Sequence, residues 1–197
     1  HLALLSDRKA LTHKQGKGKS LRAQIIVATL ARTLINTCLR MIYAFLPEFS
    51  RGLGVPIAVI VVLLSGLSAL STIAPLFGRL PDRLGSHQAM YVGLGLFALG
   101  TLIVIISPTF PGLVLALGLC VLAKIIYDSA LLAYFSHQVS YSRRGRVLAV
   151  TEMSWSLPML VGMPMIGWLM AHSNPPETAW QAPFPFLAGL TVVATVV

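Results

Sequence analysis

Six stretches of this 197-residue chain are apolar for long enough to cross a lipid bilayer, or to begin to. They cover about 23–49, 56–77, 89–107, 112–135, 147–171 and 183–197. A spanning helix needs ~20 mostly apolar residues to cross ~30 Å of hydrocarbon. Hydrocarbon offers no partner to a backbone N–H or C=O, so such runs pair their polar groups internally as helices. Composition agrees: 11% of residues are charged and 56% hydrophobic, with a mean hydropathy of +0.80. A soluble domain carries about a quarter charged residues. The expected fold is an all-α membrane protein, a six-transmembrane-helix bundle at 23–197 behind a basic tail at 1–22. The sixth run reaches only ~22 Å at ~1.5 Å per residue and reads as truncated. The chain opens on His1 and ends inside that run, so a fragment of a longer protein is expected.

The breaks between runs carry the orientation. The tail, the break after the second run and the break after the fourth hold eleven Lys and Arg residues. The other breaks hold only Arg51. Lys and Arg concentrate on the cytoplasmic side of a membrane, so the N-terminus is expected in the cytoplasm. That placement accounts for the net charge of +9 without a nucleic-acid partner. Cys38 and Cys120 lie inside apolar runs and form neither a disulfide framework nor a metal-ligand spacing. No two histidines share metal-ligand spacing, and no phosphate loop, Gly-x-Ser-x-Gly or His-Glu-x-x-His occurs. No enzyme, metal or cofactor chemistry is therefore expected.

Between the second and third runs stands Gly78-Arg79-Leu80-Pro81-Asp82-Arg83-Leu84-Gly85. Gly78 and Gly85 permit a tight turn, and Asp82 can hold an Arg or a helix N-terminus. Read alone, the octet is either a functional latch or an ordinary turn with a solvated ion pair. In position and spacing it resembles the cytoplasmic motif of the major facilitator superfamily, through Gly78, Leu80, Asp82, Arg83 and Gly85. It departs from that motif at Pro81, Ser86 and His87. The resemblance covers essentially the whole chain, as the family's N-terminal six-helix half. It implies a cytoplasmic gate at the octet, whose latch partner belongs to a missing C-terminal six-helix half. Gly162-Met163-Pro164-Met165-Ile166-Gly167 resembles, through Pro164 and Gly167, the fifth-helix motif of the family's antiporters, with Met163 where a Gly is usual.

An ionisable residue inside a span is costly and marks a functional position by default. In the first run Thr29, Arg32, Asn36, Arg40 and Tyr43 fall within about 80° of helical arc. They either line a polar pathway or, for the arginines, snorkel toward the run's ends. Lys124 and Asp128 lie one turn apart and can pair with each other; Asp128 also stands at the depth of Arg32. Glu152 can carry a proton, hold a neighbouring Arg or reach back to Arg146. Trp155, Met159 and Met163 either wall a substrate path or pack against lipid and core.

The resemblance implies secondary transport of a small molecule by alternating access in the bacterial inner (plasma) membrane. Proton-coupled efflux of the drug:proton antiporter type is the expected form, with protons and a small-molecule substrate as partners alongside the lipid bilayer. The pathway is expected to use Arg32, Asn36, Arg40, Tyr43, Lys124, Asp128 and Glu152. The competing expectation is a non-transporting polytopic membrane protein: a receptor, scaffold or intramembrane enzyme.

Overall fold

The computed structural model describes residues 2–74, 84–138 and 141–196, with side chains from residue 23 onward apart from 73, 137–144, 176 and 196. Every regular element among them is helical. Helix α1 spans Leu2–Ala44, α2 Leu46–Leu53 and α3 Ile57–Leu70, the last followed by a 3-10 turn at Ser71–Ile73. Helix α4 is Ser86–Ile106 and α5 Phe110–Gln138. Helix α6, Tyr141–Leu157, runs through a π-helical turn at Pro158–Gly162 into α7, Met163–Ala171. A 3-10 turn at Pro176–Gln181 leads to α8, Pro183–Val196.

Four stretches are long and apolar enough to span a membrane: Ala23–Ala44, Ser86–Ile106, Phe110–Ser136 and Gly145–Ala171. The pair α2 and α3, bent by 113°, makes a fifth if counted as one broken span. The α8 helix covers 14 residues, ~21 Å at ~1.5 Å each. This is an all-α membrane bundle, with four or five of the six expected spans meeting the length requirement among the described residues.

The ends of the apolar runs differ from the sequence reading where proline and glycine act. The first span stops at Ala44 rather than running to Phe49. Pro47 has no N–H for the Tyr43 carbonyl, so the hydrogen-bond ladder of α1 breaks there. Arg51–Leu53, read as a loop, instead closes α2, and the turn comes at Gly54, whose φ of 65° lies in the left-handed region that favours glycine. In the second run the α-helix gives way to the 3-10 turn at Ser71. Residues 142–146, expected as a loop, are helical within α6. Gly85 precedes α4 with φ 87°. Gly78, Leu80, Asp82 and Arg83 lie outside the described residues.

Small residues set the closest packing. A Cβ on Gly93 would lie 3.1 Å from the Tyr127 Cβ, and one on Gly100 would lie 2.9 Å from the Ala116 carbonyl oxygen. Glycines seven apart on α4 thus meet Ala116, Cys120, Ala123 and Tyr127 on α5. Such close backbone approach replaces the hydrophobic drive that lipid does not supply. The α4–α5 turn is capped locally: the Gly112 N–H donates to Thr109 Oγ1 at 3.3 Å, an N-cap bond. Over α2, Trp180 covers Gly52 and packs on Phe49, with ring centres 5.7 Å apart. Phe184 completes this aromatic cluster. Outward-facing positions remain apolar: Val62, Ile106 and Leu160 are each more than 70% exposed. That is the surface a bilayer solvates.

Candidate functional site

A charged seam joins α1, α5 and α6. Arg32 Nε donates to Asp128 Oδ1 at 2.8 Å, and Arg32 Nη1 lies 3.2 Å from Glu152 Oε1. The other Asp128 oxygen accepts from Lys124 Nζ at 2.6 Å. The sequence left Asp128 with two possible partners, one turn away on its own helix or across on α1. The carboxylate holds both, one on each oxygen. Its two acceptors are arranged so that Arg32 and Lys124, which repel each other, are separated by the charge that attracts them. The Arg32 side chain is 13% exposed, Asp128 27% and Glu152 63%, so the seam grades from protein interior to open space.

The polar stripe of α1 also grips the backbone of α6. Arg32 Nη1 donates to the Thr151 carbonyl at 3.4 Å, Asn36 Nδ2 to the Ser154 carbonyl at 3.2 Å, and Arg40 Nη1 to the Trp155 carbonyl at 3.1 Å. Three residues spaced at i, i+4 and i+8 thus reach one neighbouring helix. The middle bond has a local cause. Pro158 has no N–H, so the carbonyl four residues earlier, Ser154, lacks its usual helical donor. An unpaired carbonyl in this setting is costly. The Asn36 amide, only 2% exposed, replaces the missing donor. Beyond it the ladder loosens into the π turn, where the Met163 N–H bonds to the Pro158 carbonyl. The Ser154 hydroxyl beside this contact is buried and has no partner among the described residues.

Trp155 ties the seam together in a second way. Its ring centre is 4.9 Å from the Arg40 guanidinium carbon and 4.8 Å from Lys124 Nζ. Both lie within cation–π range. Neither contact is visible in sequence, because the three residues come from three different helices.

Alongside the seam lies an open cavity of about 560 Å³. Arg32, Tyr43, Lys124, Asp128 and Glu152 line its polar side. Leu64, Leu67, Leu117 and Phe135 supply apolar walls. Of the expected pathway residues, Asn36 and Arg40 sit outside this lining, in contact with α6. Tyr43 is 55% exposed and forms no part of the ion-pair network. Thr29 turns back on its own helix, donating to the Ile25 carbonyl at 2.7 Å. Pro164 is exposed in the first turn of α7, and a Cβ on Gly167 would lie 3.4 Å from the Phe45 ring. Gly162, by contrast, sits against Thr37, at a distance where a Cβ would come within 2.9 Å of two side-chain atoms. The described residues contain no cluster of three or more His, Cys, Asp or Glu suited to a metal ion.

Comparison with known proteins agrees with this architecture. The uncharacterized MFS-type transporter YwfA of Bacillus subtilis (strain 168) is 26% identical over 126 residues, 64% of this chain and 31% of that relative. The match therefore spans about a third of the relative's length. The Major Facilitator Superfamily profile matches residues 12–197, nearly the whole sequence. Together with an all-α membrane bundle, that match means the chain belongs to the Major Facilitator Superfamily, a family of membrane transporters rather than enzymes.

Proposed function

We propose that the protein moves a small molecule across the membrane by alternating access, coupled to protons, with efflux as its direction. The observation that carries this reading is the Arg32–Asp128–Lys124 arrangement, with Glu152 on the other arm of Arg32, at the edge of an open cavity. A proton on Asp128 removes the charge that separates Arg32 from Lys124. The seam between α1, α5 and α6 then loses its central tie, which links proton loading to helix movement. Glu152 is more exposed than Asp128 and lines the cavity, which supports a part in proton exchange.

On this reading the bundle is half of a rocking pair, and a C-terminal six-helix half completes the path. The basic segment 1–22 and the octet Gly78–Gly85 face the cytoplasm of a bacterial inner membrane, as their Lys and Arg content favours. Asp82 and Arg83 act in the gate there. Pro164 and Gly167, with the exposed Trp155 and Met159, favour an antiporter that handles compounds with apolar bodies. The test is Asp128→Asn in everted vesicles holding the full-length protein. The expected result is loss of proton-driven substrate accumulation with normal protein levels in the membrane. Undiminished coupling in that variant overturns the assignment.

A further inference from the structure

Along the seam between α1, α5 and α6, the charges of the described residues do not balance. Arg32, Lys124, Asp128 and Glu152 form a closed set of two cations and two carboxylates. Arg40 is left over. It stands two turns beyond Arg32, ~12 Å along the helix. Among the described residues no carboxylate lies within ion-pair distance of it. Its recorded polar contact is one bond to the Trp155 carbonyl, and its guanidinium rests 4.9 Å from the Trp155 ring centre. A guanidinium carries five N–H donors in a planar fork, so most of them have no partner among the described residues.

The surroundings of this surplus cation are apolar and open. Trp155 is 40% exposed, and Tyr43, three residues along α1, is 55% exposed. Lys124, whose charge Asp128 already balances, approaches the same indole ring. A cationic ligand would meet a site already one charge in excess. A dianion would overshoot it. A single negative charge brings the set to neutrality, and a planar carboxylate, or two oxygens of a tetrahedral sulfonate, can take up the guanidinium fork.

We propose that Arg40 and the exposed face of Trp155 form the head-group site for a small amphipathic organic monoanion, a carboxylate or sulfonate on an apolar body. Calling that ligand the substrate rests on the transport reading above; the binding site itself does not. The same charge could attract the phosphate of an anionic lipid, since Arg40 lies one turn from the end of α1 at Ala44. The experiment separates these sources.

The full-length protein in phosphatidylcholine nanodiscs is titrated with three probes that share one ring system: 2-naphthalenesulfonate, 2-naphthol and (2-naphthylmethyl)trimethylammonium. Binding is read by calorimetry. The expected result is that the sulfonate binds at least tenfold tighter than the cation, with the neutral probe between them. Arg40→Gln should abolish that preference, Arg40→Lys should restore part of it, and Trp155→Leu should weaken all three probes together. Equal or tighter binding of the cation overturns the proposal. So does an unchanged sulfonate affinity in Arg40→Gln. Adding phosphatidylglycerol to the nanodiscs should leave sulfonate binding intact; its loss there would identify Arg40 as a lipid anchor and overturn the solute site. The three-probe comparison on the unaltered protein needs no variant to fold. A preserved head-group preference alongside normal proton coupling in Asp128→Asn would refute the coupling reading and leave the anion site standing.

Discussion

The bond from Asn36 to the Ser154 carbonyl should matter only because Pro158 is a proline. That makes a double-mutant cycle on Asn36 and Pro158 a sharp test of how α1 is fixed to α6. Removing the Asn36 amide by Asn36→Ala leaves a buried carbonyl without a donor. Such a loss costs about 1–3 kcal/mol in proteins generally. Interhelix hydrogen bonds in membranes average ~0.6 kcal/mol and reach ~1.7. The contact is 3.2 Å long and Asn36 is 2% exposed, so about 1–1.5 kcal/mol is the expected penalty. In a Pro158→Ala background residue 158 regains an N–H, and the Ser154 carbonyl recovers its helical donor. Asn36→Ala should then cost about 1 kcal/mol less, roughly a fivefold change in the unfolding equilibrium. The void left by truncating Asn36 is common to both backgrounds and cancels in the cycle. Reversible unfolding of the full-length protein in mixed micelles, followed by circular dichroism, gives all four stabilities. Penalties that add to within ~0.3 kcal/mol would refute the link between Pro158 and Asn36.

Two further outcomes follow from the close-packed glycines. Gly100→Ala places a methyl 2.9 Å from a backbone oxygen of α5 and should lower stability by about 1–3 kcal/mol, whereas Gly95→Ala, with open space around it, should not; thermal midpoints of the two variants check this. Gly52→Ala should drive Trp180 from its seat on Phe49, read as a red shift and stronger iodide quenching of tryptophan emission, with Gly66→Ala as the unaffected control.

Much of this was legible in the chain because lipid makes strong demands. Long apolar runs in hydrocarbon have one backbone solution, so the all-α bundle follows from hydropathy. Arg32 and Asp128 could be matched by depth, since both count from the same side of one slab of known thickness. The ends of the runs were harder to read. Pro47 carries the signal that ends α1 at Ala44, but hydropathy continues through it to Phe49. The surroundings of Arg40 were hidden for a different reason. Its contacts are a carbonyl oxygen and an indole face, and neither has a charge that a sequence count would register. Asn36 belongs to the same class: Pro158 exposes a carbonyl, but only the packing of α1 on α6 says which side chain meets it.

The three α1 side chains that hold α6 behave like the teeth of a rack. Carbonyls recur along a helix every ~1.5 Å, but they return to the same face only after a full turn of ~5.4 Å. A slide of less than one turn breaks the grips of Arg32, Asn36 and Arg40 together, and a full-turn slide would bring Asn36 to a carbonyl that already has its donor. Small displacements of α1 therefore carry the last two turns of α6 with them as a single lever. The slack is taken up just past the last tooth, in the wider π turn at Pro158–Gly162, where the helix has already surrendered its regular spacing. The lever's fulcrum is written into the chain by a single missing amide hydrogen.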